Sequence, residues 1–230
     1  MSTTDQTTFP LSFTLTPSQA ARAEAHREEI LANPGFGNYF TDHMVEIDWT
    51  VDEGWHNGQV KQYGPLSIEP GSAVLHYGQE IFEGLKVYRH EDGSIWAFRP
   101  EANAARLARS AQRLALPQLS VTDFVESIRQ LVTVDAQWVP SAPETSLYLR
   151  PFMIANENFL GVRAAHRAAY YVIASPAGAY FKGGVAPVKI WLTTEYTRAG
   201  RGGTGAAKCG GNYAASLVAQ ADAYDRGCAQ

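Results

Sequence analysis

The 230-residue chain is poor in the features that would define several protein classes at once: two cysteines, three methionines, and no apolar run approaching the ~18 residues that cross a bilayer. Cys209 and Cys228 form no CxxC pair and cannot staple a secreted scaffold, so a reducing cytoplasm suits the chain. Its six histidines include no HExxH, and His43 and His76 lie far apart, so no metal site is expected. Excess positive charge is missing too. Nineteen Lys and Arg against 23 Asp and Glu give a net charge of −4, which removes any general pull toward nucleic acid or an anionic membrane. The opening MSTTDQTTFPLSFTLTPS has neither a basic start nor an apolar core, and does not read as a secretion signal. What is present is ordinary globular composition, 45% hydrophobic and 18% charged, enough for one large or two small domains at roughly 100–200 residues each.

Residues 1–35 read as an N-terminal extension with a short helix around Ala20–Leu31, stopped by Asn33-Pro34-Gly35. Strand-like runs follow at Met44–Trp49, Ser72–Tyr77, Leu85–His90 and Ser94–Phe98, the last two joined by a turn at Asp92-Gly93. Two helices come next. Pro100 opens the first, with Ala104, Leu107, Ala108, Ala111 and Leu114 on one face; Ser120 opens the second, whose stripe is Phe124, Val125, Ile128, Leu131 and Val132. Thr145–Ala155 and Ala168–Ser175 are β-branched and aromatic enough to be central strands. The pattern is α+β, with a first domain over 36–177, a linker over 178–187, and the opening of a second domain over 188–230. That opening consists of an element at Val188–Tyr196, a glycine-rich loop and an amphipathic helix over Tyr213–Arg226, with Ala214, Leu217, Val218, Ala221 and Tyr224 on one face and Gly227 as its stop, too little to bury a core of its own.

The densest chemical signal is Gly200-Arg201-Gly202-Gly203-Thr204-Gly205-Ala206-Ala207-Lys208-Cys209-Gly210-Gly211-Asn212-Tyr213. Glycines let backbone approach a ligand closely and amides at a helix start attract anions, so a phosphate-bearing ligand is one reading and a flexible surface loop the other. A Walker A loop is excluded, because Ala207 precedes the lysine and Cys209 follows it. Gly200-x-Gly202-x-x-Gly205 matches a dinucleotide fingerprint in form, but the expected helix starts only at Tyr213. Of five lysines (61, 86, 182, 189 and 208), Lys208 is the best placed for imine chemistry, which needs a desolvated amine in an open cleft.

Lys208-Cys209-Gly210-Gly211-Asn212-Tyr213 resembles the cofactor-lysine segment of the branched-chain aminotransferases, which are fold-type IV, pyridoxal-phosphate-dependent enzymes. The resemblance continues in order through Phe40–Met44, Leu75–Gln79, Phe82–Lys86, Phe98–Pro100, Ser146–Pro151 and Gly178–Phe181, covering nearly the whole chain from about Gly35. It implies a D-amino-acid-aminotransferase-like two-domain fold, with a complete small domain and a truncated start of the large one. It also implies transamination of L-leucine, L-isoleucine and L-valine with 2-oxoglutarate in a ping-pong cycle, a step in branched-chain amino-acid biosynthesis.

The same resemblance assigns roles by position. Lys208 would form the aldimine with the cofactor and shuttle the proton; Arg99 would pair with the phosphate and Tyr213 with the phenolic oxygen. Phe36, Tyr77, Phe82 and Tyr180 would wall the substrate pocket, with Tyr148, Leu160 and Val162 reaching in from the neighbouring subunit of a homodimer and Arg150 meeting the distal carboxylate of glutamate. Glu83 and Gly84 would shape a turn. Read without the resemblance, the aromatics are equally core residues and Arg99 a solvated arginine. Residues completing the cofactor site would lie beyond Gln230, making this chain alone an inactive fragment. D-amino-acid aminotransferases and aminodeoxychorismate lyases share the lysine and are the nearest alternatives, and a phosphate- or dinucleotide-binding module on Gly200–Gly205 is a more distant one.

Overall fold

A computed structural model describes residues 10–179 and 186–230. Its frame is set by the two longest apolar runs. Strand β7 (Ser146–Ile154) and strand β8 (Arg167–Ala177) pair antiparallel from Ser146 opposite Ala177 to Ile154 opposite Ala169. In β7 the residues Leu147, Leu149, Pro151 and Met153 are buried on one face, while Tyr148, Arg150 and Phe152 alternate onto the other.

Around this pair the sheet runs in the order β1-β3-β2-β8-β7-β5-β6, with β4 also on β7. The remaining strands are β1 (Phe13–Leu15), β2 (His43–Thr50), β3 (Gly54–Gln62), β4 (Glu80–Phe82), β5 (Leu85–Arg89) and β6 (Ile95–Ala97). β5 and β6 form the expected hairpin: Gly93 takes φ +84°, and the Asp92 side chain accepts from Ser94 N–H at 2.9 Å. β4 and β5 share β7 as neighbour but break at Glu83-Gly84, opposite Arg150-Pro151. Proline has no N–H to give a ladder, so its tolerance inside this strand follows from the break across from it; its carbonyl accepts from Glu83 N–H at 2.7 Å.

Helices α3 (Pro100–Arg113) and α4 (Val121–Val134) cover one face of the sheet. α3 starts with Pro at its first turn, and in α4 the Ser120 hydroxyl accepts from Asp123 N–H at 3.0 Å, an N-terminal cap. Ala104, Leu107, Ala111, Phe124, Ile128 and Leu131 are buried, packed over Leu147, Leu149, Met153 and Tyr170. Tyr170, wholly buried, satisfies its hydroxyl with Ser127 Oγ at 3.1 Å, and burial pushes its pKa far up. On the N-terminal side α1 (Glu24–Ala32) lies close to the expected span.

Three expectations are corrected. Ser72–Tyr77 is not a strand: α2 (Ala73–Tyr77) occupies it, with Ser72 at its start and Gly78 at φ +57° closing it, and only Ser72 bridges to Asn158. Val188–Tyr196 forms no regular element; among the described residues its backbone bonds to backbone in the chain's last residues, Trp191 N–H to Gln230 O at 2.6 Å and Ala229 N–H to Lys189 O at 2.7 Å. The helix expected over Tyr213–Arg226 is two pieces, α5 (Gly210–Ala214) and α6 (Leu217–Asp225), with Gly227 in the left-handed conformation after the second. Its apolar stripe is not buried: Leu217, Val218 and Tyr224 are exposed and Ala223 is the residue covered. β3 escaped sequence reading because Gly54, Asn57 and Gly58 interrupt its alternation and the pairing with β2 shifts between Glu46 and Asp48.

Candidate active site

The open face of the sheet carries the side chains that alternate away from the helices, and the lysine segment docks against its edge. Phe82 N–H donates to Lys208 O at 2.9 Å, and Gly210 N–H donates to the Glu80 carboxylate, so β4 holds this segment at both ends. Burial pushes the Glu80 carboxyl above its ordinary value, with the Gly210 hydrogen bond pulling the other way. Asn212, itself buried, donates to Thr204 O at 3.0 Å and Ala207 O at 2.8 Å and accepts from Thr204 Oγ1 at 2.8 Å. The glycine-rich loop is thereby folded back onto the start of α5.

Lys208 Nζ donates to Tyr213 Oη at 2.7 Å and sits 4.6 Å from the centre of the Phe82 ring. No ion pair to a carboxylate is formed by this amine among the described residues. Phe82 and Tyr213 rings lie 5.0 Å apart. The Arg150 guanidinium is 4.8 Å from the Phe82 ring and donates to Tyr148 Oη at 2.8 Å, and Tyr148 meets Phe36 edge-on at 5.1 Å. Lys208, Tyr213, Phe82, Arg150, Tyr148 and Phe36 thus form one chain of contacts. Phe36, Tyr148 and Arg150, with Ile173 and Ser175, line a cavity of about 230 Å³.

The other expected residues stand apart. Tyr77 Oη donates to Leu160 O, so α2 and the loop between β7 and β8 make a second group, from which Leu160 and Val162 project 63% and 84% exposed. The structure therefore groups Tyr77, not Tyr148, with Leu160. Arg99 is exposed at the start of α3 with φ +50°, an unusual conformation for a residue with a side chain, and its guanidinium has no hydrogen-bond or ion-pair partner among the described residues. Tyr180 lies outside the described residues. The dinucleotide fingerprint has neither a strand before Gly200 nor a helix at Gly205, so its structural context is missing. Cys209 and Cys228 are buried free thiols.

Sequence reading gave Glu83 and Gly84 only a turn-shaping role and passed over Asn103, Arg106 and Ser110, which hold the site from behind. Glu83 is fully buried on the helix side, gripped by Arg106 through Nε at 2.6 Å and a terminal nitrogen at 2.7 Å and by Asn103 Nδ2 at 2.9 Å. That carboxylate raises the Arg106 pKa further. Gly84, next in the chain, must be glycine: a Cβ there would run into Tyr148 Oη. Ser110 Oγ accepts from Lys208 N–H at 2.9 Å. A polar residue among the buried apolar positions of α3 was the available signal for Ser110.

Comparison with known proteins places this geometry. No protein-family model matches the chain. It is 64% identical over 222 residues to the branched-chain-amino-acid aminotransferase of Mycolicibacterium smegmatis, covering 96% of this chain and 60% of that protein. It is 58% identical over 225 residues to the Mycobacterium tuberculosis protein of the same name, covering 97% and 61%. Among solved structures, the T.th. branched-chain amino acid aminotransferase with pyridoxamine 5'-phosphate superposes with a TM-score of 0.64 at 26% identity, over 79% of this chain and 57% of that one. The chain spans about 60% of the length of the curated relatives it matches.

Proposed function

We propose that this chain, which belongs to the branched-chain aminotransferase family and matches the N-terminal portion of its members, contributes the reactive lysine and much of the substrate pocket to a transaminase. The reaction is exchange of the amino group between L-leucine, L-isoleucine or L-valine and 2-oxoglutarate, with pyridoxal 5'-phosphate as cofactor. The observation that carries this reading is the amine of Lys208, bonded to Tyr213 Oη and facing Phe82, beside the Arg150–Tyr148 pair.

The donor set fits the cofactor: an amine for its aldehyde, a phenol for its ring oxygen, and at the head of α3 an unpaired guanidinium for its phosphate. When bound, pyridoxal phosphate supplies an electron sink that acidifies the α-hydrogen of an attached amino acid. Lys208 Nζ takes that proton and returns it on the other side of the exchange, and Tyr213 Oη, accepting from Nζ, aims the amine. The forked Arg99 guanidinium would hold the phosphate. The apolar side chain of leucine packs against Phe36, Phe82 and Tyr148, whereas the distal carboxylate of glutamate meets Arg150, which Tyr148 holds over the Phe82 ring. One pocket thus serves both substrates, its cation lying flat on aromatic rings until a carboxylate draws it out.

Leu160 and Val162 reach into the pocket of a neighbouring subunit in a homodimer, a reading supported by their exposure, and Tyr77, bonded to Leu160 O, walls the pocket. Among the described residues no helix is long and apolar enough to cross a membrane. The two free thiols support a cytoplasmic setting.

The test is the visible spectrum of the protein carrying this chain, with pyridoxal phosphate, before and after borohydride, followed by peptide mapping and by steady-state rates. An adduct on Lys208 and turnover of L-leucine but not D-alanine are expected. An adduct on another lysine, or preference for D-alanine, refutes the assignment; tight NAD(P) binding would favour the Gly200–Gly205 alternative instead.

A further inference from the structure

One stripe of α3 carries Asn103, Arg106, Ser110 and Arg113, spaced three, four and three residues apart and therefore on a common face. Together they grip three parts of the site. Asn103 and Arg106 hold Glu83 at the β4–β5 break, Ser110 accepts the Lys208 amide, and Arg113 donates to Gly202 O at 3.0 Å and Gly203 O at 3.2 Å in the glycine-rich loop. The lysine peptide is consequently clamped from two elements, its N–H by Ser110 and its C=O by Phe82 N–H.

A lysine amine stands at the end of four rotatable carbons, so its position is only as well defined as its Cα and the contact at its tip. Tyr213 supplies the tip. Ser110 is completely buried in α3 alongside Leu107 and Ala111, and alanine is the better helix former. A serine there costs helix stability, and its Oγ faces the one backbone amide whose side chain does the chemistry.

We propose that Ser110 is a positioning residue for Lys208: by accepting the lysine's own amide it fixes the Cα from which the amine reaches the reacting carbon. This rests on Lys208 being the cofactor-bearing amine. Ser110 is completely buried and its Oγ is engaged by the Lys208 amide, so its removal alters how often the amine is correctly placed, not how substrate binds.

The experiment compares Ser110→Ala, Ser110→Cys and Ser110→Thr with the parent in the full protein. In the cofactor-free form, hydrogen exchange at the Lys208 amide is read; in the form loaded with pyridoxal phosphate, kcat and KM for L-leucine and 2-oxoglutarate are measured. The alanine and cysteine variants are expected to exchange the Lys208 amide at least about tenfold faster and to lose about 10–100-fold in kcat with KM within about threefold, the size of a small misplacement of a reacting group. Ser110→Thr, which keeps a hydroxyl, recovers part of both. Alanine leaves only a hydroxyl-sized gap, whereas cysteine fills the site with a larger sulfur that accepts weakly, so a packing role predicts a near-normal Ser110→Ala enzyme; that result, or unchanged Lys208 protection in both variants, overturns the proposal. Borohydride labelling of the parent separates the two layers. A label on Lys208 with normal Ser110 variants refutes positioning alone, whereas a label on another lysine refutes both readings.

Discussion

Replacing Arg106 by alanine should unmask the cost of the buried Glu83 carboxylate. Glu83 is fully covered, while the Arg106 side chain is 47% exposed, so truncation removes the cation and lets some water in but leaves the carboxylate inside. Two of its four hydrogen-bond donors disappear, leaving Asn103 Nδ2 at 2.9 Å and Gly84 N–H at 3.3 Å. Breaking one side of a buried pair costs about 3–5 kcal/mol. A ceiling comes from proton uptake. A carboxyl that loses its cation can become neutral, and for a glutamate with an unfolded-state pKa of about 4.3 this costs about 1.36 kcal/mol per pH unit above that value, or about 3.7 kcal/mol at pH 7. The loss should therefore be about 3–3.7 kcal/mol at pH 7 and shrink to about 1 kcal/mol at pH 5. Urea unfolding followed by circular dichroism at the two pH values measures it. The paired change Glu83→Leu with Arg106→Met, apolar on both sides, should recover to within about 1 kcal/mol of the parent. A loss under about 1 kcal/mol at pH 7, or one independent of pH, would refute the argument that this carboxylate depends on its cation.

Two further outcomes follow from the site. Burial raises the Glu80 pKa above 4.5, so the folded state holds its proton more tightly than the unfolded chain; that stabilisation is complete below about 4.5 and is lost as pH rises through the raised value. Glu80→Gln should remove this slope in thermal unfolding between pH 4 and 7, and parallel profiles for parent and variant would contradict it. Arg150→Met should raise KM for 2-oxoglutarate by about 10–100-fold while changing KM for L-leucine by less than about threefold, and Tyr148→Phe should do the same more weakly, because Arg150 loses its 2.8 Å partner. Equal effects on both substrates in steady-state kinetics would remove Arg150 from carboxylate recognition.

How far the sequence carried the fold depended on whether an element's signal was local and uninterrupted. α3 and α4 repeat apolar residues over four turns, and β7 and β8 are long runs with no glycine, so each was legible. Ser72–Tyr77 failed because its β-like composition hid a one-turn helix whose evidence was Ser72 before it and Gly78 after it. The amphipathic pattern of Tyr213–Arg226 also misled. Periodicity marks which side chains would share a face, not whether anything packs on that face, and Leu217, Val218 and Tyr224 stay exposed.

For the site, the short run from Lys208 to Tyr213 contained its own answer. Six residues across the start of one helix set the amine against the phenol, and local backbone geometry suffices for that. Family resemblance named most of the remaining side chains without saying which of them meet. The tertiary structure decided that Phe82, Arg150, Tyr148 and Phe36 make one continuous surface while Tyr77 and Leu160 make another, because strand register and the break opposite Pro151 determine which alternating side chains become neighbours. It also decided what holds the lysine, since Ser110 is 98 residues from Lys208 and Glu80 130 from Gly210. Such bonds exist only once the chain has closed those long loops onto a common sheet, and no local period in the sequence records them.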